Sequence, residues 1–524
     1  MPSAFWGRPA SRVKPPAELA SEAALLAHLG VSPSELRKIW WFRGKMYTNF
    51  NASRPRKKAR YISAPDERLK YLQRKIAPLL DQMYRVRHPV HGFVAGKSVK
   101  TNAEAHLRKR YIVNLDLKDF FPTITENRVI GMLEALGLDA RVASIVARIC
   151  TNRGCLPQGA PTSPVLSNMI CFRMDKELLG FSKSARCIYT RYADDITFSS
   201  YQPMASLFES AVPGAGRFAV ELLSVRLRSI FSNNGFQLNE EKSHYADKYS
   251  RRMVTGLKVN EIINVDRKYV RNIRAALLSV ECGGVAAADA KFKSQLGGGR
   301  KDLEDHLFGK IAWLRHIRGQ SDPVFRAIAL RFNASFPGRK IEVVPTRDEV
   351  RDRSVWVVEH FEGDMAQGSA FFLSGVGLVT AAHCVTGATE VDLYHPSKPA
   401  NKFKASIDRV GKHFDIAILN HSIPQTEYFE LTRSINVVSV GDALTAMGYP
   451  GFAVGDRLNV RPGTVSSLPT KSGVSYIEVT QKLSQGMSGG PLVDAHDAVV
   501  GITHKGGPDE GRDFAVHIDM LDRL

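Results

Sequence analysis

The spacing of apolar positions changes character along this chain. In ERLKYLQRKIAPLLDQM (67–83) apolar residues recur at steps of three and four, which predicts an amphipathic helix. HLFGKIAWLRHIRG (306–319) repeats that spacing and predicts a second one. YIVNLDLKDFFPTI (111–124) and RYADDITF (191–198) are rich in β-branched and aromatic residues and predict strands. RPRKKARYISAP (54–65) is a basic run leading into an extended segment before Pro65. Residues 283–300, rich in Ala and Gly and ending GGGRK, predict an exposed loop. From 353 onward the pattern becomes short β-type runs punctuated by Gly, such as GSAFFLSGVGLVTAA and DIAIL, which predict an all-β sandwich or barrel. The two regimes meet in SFPGRKIEVVPTRDEVRD (335–352), whose two prolines and mixed charge predict a linker.

A length of 524 residues exceeds what one core normally organises, so at least two domains are expected. The charge supports a division at the same place. Residues 1–350 hold 57 basic and 32 acidic side chains, whereas residues 351–524 hold 15 and 20. The first two-thirds is therefore suited to a polyanion and the last third is not. No apolar run approaches a membrane span, and MPSAFWGRPASRVKPP lacks the apolar centre of a secretory leader, so a cytoplasmic protein without a membrane partner is expected. The six cysteines show no zinc-ligand spacing and are read as reduced packing residues.

RYADDITF poses a physical problem. Asp194 and Asp195 are adjacent like charges, and strand geometry points neighbours to opposite faces. A solvated turn is the plainest home for such a pair. A third carboxylate, Asp116, ends the run YIVNLD. Hairpin-adjacent strands would bring Asp116 beside Asp194, where the two repel unless a cation lies between them. Phosphoryl transfer uses that arrangement, because two divalent ions about 3.5–4 Å apart clamp the attacking and leaving oxygens. Hard cations such as Mg²⁺ take carboxylate oxygens.

Over about residues 30–320 the ordered motifs resemble a reverse transcriptase. NLDLKDFFP is similar to the first catalytic motif, with Asp116 as metal ligand and Phe121 at the aromatic steric gate that favours dNTPs. LPQGAPTSPVLSN (156–168) resembles the motif lining the nucleotide and template site, with Gln158 and Gly159 at its centre. YADD carries the family signature, giving Asp194 and Asp195 as catalytic metal ligands. GFQLNEEKSHY (235–245) resembles the next motif, with Lys242 as phosphate contact or general acid. TNAEAH (101–106) fits the NAxxH signature of retron reverse transcriptases, and MVTGLKVN (253–260) contains their VTG triplet. The resemblance assigns Asn102, His106, Val254, Thr255 and Gly256 to RNA binding. It implies an enzyme that binds its own structured noncoding RNA. With two Mg²⁺ ions, that enzyme copies part of the RNA into a short DNA joined to it through a 2′-hydroxyl primer. It also implies an antiphage system with an attached effector.

A second constellation lies in the β-rich third. LVTAAHCV places His383 after an apolar strand, FDIAIL opens a strand with Asp415, and GMSGGPLV surrounds Ser488 with glycines. A nucleophilic Ser needs a base, an orienting carboxylate and N–H groups aimed at the oxyanion. Glycines around Ser488 allow the N–H groups of Gly486 and Ser488 to converge. Over about 353–524 this resembles the trypsin-like serine proteases, which need no cofactor. Met487 stands where zymogens of that family carry an activating Asp, and Cys384 has no nearby Cys to pair with. The resemblance places Lys482 on the floor and His504 on the wall of a specificity pocket, implying cleavage after an acidic residue or Gln.

The expected protein is multidomain. An N-terminal extension (1–30) precedes an α+β right-hand polymerase (31–334, with fingers and palm to about 254 and a helical thumb at about 255–330). The linker (335–352) and an all-β trypsin-like double β-barrel (353–524) follow. Expected partners are the cognate noncoding RNA and its RNA–DNA product, dNTPs and an unknown protein substrate of the peptidase. The alternative is a non-retron bacterial reverse transcriptase, intron-derived or of the abortive-infection type, whose protease-like domain is a binding module.

Overall fold

Asp66 opens the helix Glu67–Met83 by accepting the Leu69 N–H at 2.8 Å, the usual way a helix start satisfies its free donors. Its buried face is Leu69, Leu72, Ile76, Leu79, Leu80 and Met83, the three-and-four spacing of the sequence. The computed structural model to which it belongs describes residues 14–54, 57–295, 302–362, 364–506 and 511–524. The first 13 residues, part of the basic run at 55–56, the GGGRK stretch and Gly507 lie outside the described residues. The chain divides into two compact units, residues 1–342 and 343–524.

In the first unit, β1 (Tyr47–Arg54) and β2 (Lys57–Pro65) form an antiparallel ribbon. Strands β3 (Tyr111–Asp116), β4 (Ile188–Tyr192), β5 (Asp195–Ser200), β6 (Gly216–Arg217) and β7 (His244–Ala246) form one sheet in the order β4-β5-β3-β7-β6. Val113 and Leu115 of β3 and Ile196 and Phe198 of β5 join one apolar core with the helix Glu67–Met83 and with Leu166, Met174 and Phe181 from two further helices. Each such side chain contributes about 1.5–3 kcal/mol by leaving water. A small hairpin, β8 (Met253–Val254) and β9 (Leu257–Lys258), follows.

Three helices close this unit: Arg267–Gln295, Leu303–Arg318 and Pro323–Ser335. The first corrects the expected loop over 283–295, the rest of that stretch lying outside the described residues. Gly284, at φ 78° and ψ 162°, interrupts the helix, and the alanine-rich run VAAADAKFKSQ resumes it to Gln295.

The second unit corrects part of the expected linker, since Arg347–Ser354 is a helix with a Thr346/Glu349 capping box. Arg347 and Arg351 both donate to Asp497. Strands β10 (Val355–Glu362), β11 (Asp364–Leu373), β12 (Gly377–Thr380), β13 (Glu390–Tyr394), β14 (Phe403–Gly411) and β15 (Ile416–His421) form a closed barrel. Strands β16 (Ala443–Gly448), β17 (Asn459–Ser467), β18 (Thr470–Lys471), β19 (Val474–Val479), β20 (Pro491–Val493), β21 (Val499–Gly506) and β22 (Asp513–His517) form a second sheet. Pairing of β17 with β19 closes six of these strands into a second barrel. Alternation along β10 serves two cores. Trp356 and Val358 fill the first barrel, while Val355 and Val357 pack with Met447, Tyr449 and Ile502 of the second. Among the described residues no helix is long and apolar enough to cross a membrane.

Candidate active sites

The first site lies where β3 and β5 end together. Their register sets Asp116 opposite Asp195, and the two-residue turn Ala193–Asp194 joins β4 to β5. Ala193 adopts the left-handed conformation at φ 57°, a strained position for a residue with a Cβ. Asp194 receives the Leu117 N–H on its carbonyl at 3.1 Å, which ties the turn to the end of β3. Three carboxyl groups thus meet at one end of the sheet. The surrounding protein first, and then the Asp116 charge, lift the Asp194 carboxyl above its usual range. The same enclosure, with the charges of Asp194 and Asp116, pushes Asp195 up to about 7. Lys242 donates to Asp116 Oδ2 at 2.6 Å, and Asn239 Nδ2 to Oδ1 at 3.2 Å. Burial opposes the Lys242 charge, but Asp116 and its two neighbours outweigh it and hold the ammonium protonated.

What fixes the turn is a pair the sequence reading passed over. Arg191, fully buried, grips Asp175 with Nε at 2.7 Å and Nη2 at 2.8 Å, and donates through Nη1 to the Ala193 carbonyl at 3.1 Å. Tyr189 adds a third bond to Asp175 at 2.7 Å. Arg191 stands in the quoted RYADD. An arginine inside a strand-forming run needs a buried partner, and that was the available signal.

Phe121 is half-buried beside Phe120 and Phe93. The Gln158 carbonyl accepts the Ser63 N–H of β2 at 3.0 Å, so this loop is tied to the ribbon. Gly159 is exposed.

Three of the residues expected to bind RNA are buried. His106 is fully buried and joined to Ser199 at 2.6 Å and Thr190 at 2.7 Å, on β5 and β4. Burial, then His91 and Lys109, depress its imidazole to about 3, so it is neutral. Asn102 and Val254 are also buried. His106 thus braces β4 and β5 behind the carboxylates, while the Asn102 amide is enclosed. Thr255 and Gly256, at φ 46° and 82°, form the turn of the β8–β9 hairpin, which requires left-handed backbone at both positions. The Thr255 hydroxyl donates to the Val99 carbonyl, bringing the VTG and NAEAH segments together.

The second site lies among the ends of β12, β15 and β21 and the turn before β20. His383 sits on a short 3-10 turn, Ala382–Cys384, with its main-chain N–H on Asp415 Oδ1 at 2.8 Å and its Nδ1 2.7 Å from Oδ2. Asp415 is buried. Desolvation opposes its charge, but the bonds from His383 and His504 outweigh this and hold its carboxyl well below the usual range. The bond to Asp415 and the neighbouring Cys384 raise the His383 imidazole well above the usual histidine range. The Ser488 hydroxyl donates to the His504 carbonyl at 2.8 Å.

The loop around Ser488 is set by close approaches. A Cβ on Gly486, at φ 92°, would meet the Tyr449 carbonyl at 2.5 Å, and one on Gly489 the Ser369 carbonyl at 2.3 Å. Ser369, also missed in the sequence, links both sides. Its hydroxyl donates to the Gly486 carbonyl at 2.8 Å and receives the Tyr449 N–H at 2.9 Å. Met487 is fully buried in the second barrel core beside Leu444, Ile477 and Leu492, so the nucleophile loop is anchored by an apolar side chain. Cys384 is free, and a Cβ on Gly368 would already lie 2.5 Å from its sulfur.

His504, expected on the wall of a specificity pocket, is partly exposed, and its Nδ1 lies 2.5 Å from Asp415 Oδ2, beside His383. Lys482 is exposed, and its carbonyl accepts from Arg461 at 2.6 Å.

Comparison with known proteins assigns both regions. Residues 51–259 match the family described as reverse transcriptase (RNA-dependent DNA polymerase), and residues 368–502 the trypsin-like peptidase domain. The retron Ec86 reverse transcriptase of Escherichia coli is 35% identical over 244 residues, 46% of this chain and 71% of that protein. The retron Mx162 reverse transcriptase of Myxococcus xanthus is 35% identical over 291 residues, and the chain spans 59% of that protein's length. Among solved structures, the active form of the Rv3671c protease of M. tuberculosis is similar at 22% identity, over 33% of this chain and 79% of that one, with a TM-score of 0.29. The chain belongs to the retron reverse transcriptases and carries a trypsin-like serine peptidase domain behind the polymerase.

Proposed function

We propose that the first unit binds a cognate structured noncoding RNA. It copies part of that RNA into a short DNA joined through a 2′-hydroxyl, and the peptidase is the effector of an antiphage system. The observation that carries the polymerase half is the meeting of Asp116, Asp194 and Asp195 at one end of the sheet. Reverse transcriptase domains use divalent metal ions, an RNA template and dNTPs. The donor set fits Mg²⁺, because its oxygens are hard and the mutual repulsion that lifts Asp194 and Asp195 is relieved by a cation. Asp116, Asp194 and Asp195 would hold two such ions, which supply charge stabilisation to the attacking and leaving oxygens. Lys242 keeps a proton beside Asp116 and is placed to contact phosphate. Phe121 packs against the incoming sugar. The basic surplus of residues 1–350 supplies nonspecific affinity for the RNA backbone.

In the peptidase, Ser488 attacks the scissile carbonyl as its proton passes to His383 Nε2, with Asp415 orienting the ring. The N–H groups of Gly486 and Ser488 receive the oxyanion. Lys482 contributes to substrate choice from the rim. The protein acts in the cytoplasm, where its RNA is made.

The test is to purify the protein from cells carrying its native upstream region and to analyse the bound nucleic acid, beside Asp194→Asn. A short DNA covalently joined to RNA, present in the wild type alone, is the expected result. No DNA in the wild type would defeat the retron product. Phage protection retained by Ser488→Ala would defeat the effector role.

A further inference from the structure

The helix Arg347–Ser354 reaches the nucleophile loop of the peptidase by two paths. The first runs through Asp497. Arg347 donates through Nε and Nη2 to the two Asp497 oxygens at 2.5 and 2.8 Å, and through Nη2 to the Ala495 carbonyl at 2.8 Å. Arg351, one turn on, sets Nε and Nη2 2.9 and 2.6 Å from Asp497 Oδ1. The Arg351 and Asp497 side chains are 15% and 12% exposed, so salt screens this contact weakly. Asp497 lies in the turn between β20 and β21, at φ 65°. Asp494 stiffens that turn by accepting the N–H groups of His496 and Ala498 at 2.8 and 3.0 Å. β20 begins at Pro491, three residues beyond Ser488, and the Gly490 carbonyl accepts the Thr503 N–H of β21 at 2.8 Å.

The second path leaves the other end of the helix. Val355 follows Ser354, and its carbonyl accepts the buried Tyr449 hydroxyl at 3.1 Å. The Tyr449 N–H is bonded to Ser369, whose hydroxyl holds the Gly486 carbonyl. One path therefore ends just after Ser488 and the other just before it.

Upstream the chain is pinned again. The Ile341 N–H donates to Asn333 Oδ1 at 2.7 Å, and the Ile341 carbonyl accepts from Asn333 Nδ2 at 2.8 Å, within the helix Pro323–Ser335 that ends the first unit. Four residues, Glu342 to Pro345, separate that pin from the Thr346 cap. Five Cα steps span at most about 18 Å, and Pro345 removes some of the slack.

We propose that the helix Arg347–Ser354 is a latch. Held on Asp497, it keeps the Ser488 loop in its working shape, and displacement of the first unit's last helix, passed through the short linker, releases it. The proposal rests on the peptidase reading above. Two guanidinium groups converge on one carboxylate, so loss of one leaves the other in place, whereas movement of the helix as a body breaks both together. That gives two discrete states and no gradual drift. The barrel between Asp497 and Ser488 is close-packed and absorbs little of a shift. Released, the N–H groups of Gly486 and Ser488 no longer converge on the oxyanion, and a misplacement of about 1 Å is enough to slow the reaction strongly.

The experiment uses the full chain and an organophosphonate ester that phosphonylates Ser488, with Ser488→Ala as blank and thermal melting as the report on folding. The variants are Arg347→Ala with Arg351→Ala, Arg347→Lys with Arg351→Lys, and a chain with a Gly-Ser segment inserted after Val343. A synthetic RNA–DNA primer–template duplex with dNTPs loads the first unit. We expect the Ala pair to label about 10–100-fold more slowly at saturating ester, with the half-saturating concentration unchanged, and the Lys pair to recover most of the rate. We expect the duplex to change the wild-type rate by about fivefold or more and to leave the inserted chain at its basal rate. An Ala pair as fast as wild type would overturn the latch. So would a Lys pair no faster than the Ala pair while both melt like wild type, because the charges would then be idle. A wild type indifferent to the duplex, or an inserted chain that responds as the wild type does, would overturn the release through the linker. No labelling of the wild type under any condition would defeat the peptidase reading itself, and the latch with it.

Discussion

The two catalytic regions treat their carboxylates in opposite ways. In the polymerase, Asp116, Asp194 and Asp195 are crowded together with one lysine among them, and the last two are pushed toward protonation. In the peptidase, a single carboxylate receives two imidazoles and a backbone N–H, and is held firmly ionised. The first arrangement is short of positive charge and calls for cations from outside. The second meets its carboxylate with donors from its own residues. A carboxylate cluster built by strand register is therefore a receptor for ions, while a carboxylate enclosed by donors is a fixed part of the machinery.

Chelation tests that contrast most directly. Removal of divalent ions should reduce DNA synthesis by more than about a thousandfold and leave phosphonylation of Ser488 at its original rate. A peptidase that also stopped would break the comparison. The support beneath the first site comes next. Asp175→Asn leaves the Arg191 guanidinium buried without its counter-charge, and both side chains are fully enclosed. The first unit should lose about 3–5 kcal/mol, seen as a lower melting transition with loss of polymerisation. A smaller effect is read from pH. Catalysis needs neutral His383, whose imidazole the Asp415 bond and Cys384 raise above 6.5. Peptidase activity should therefore appear only as pH rises past the ordinary histidine range, and a midpoint at or below 6.5 would contradict the raised imidazole. The smallest is Gly256→Ala in the β8–β9 turn. At φ 82° it should cost about 1 kcal/mol and leave the carboxylates in place, as a melting curve with retained polymerisation would show.

Local chemistry made much of this readable in advance. Asp116 ends β3 and Asp194 occupies a hairpin turn because β-branched runs stop where the sequence placed those residues. The helix at 67–83 followed from its spacing, and the change to β structure after 353 from its short alternating runs. What escaped were relations between distant segments. Nothing near Arg191 names Asp175, and nothing near His504 names Asp415, since both pairs are made by packing of separate elements. The NAEAH and VTG segments were visible as patterns, but burial of His106 against β4 and β5 gives them a bracing role that no spacing conveys. The helix over 285–295 was missed because a few glycines drew attention from an alanine-rich run.

The burial of Met487 has a consequence for how the peptidase responds to its surroundings. Ion pairs loosen when salt rises, whereas apolar burial is indifferent to moderate salt and weakens on cooling. With its neighbour sunk among Leu444, Ile477 and Leu492, the loop that presents Ser488 should keep its grip in brine and slacken in the cold.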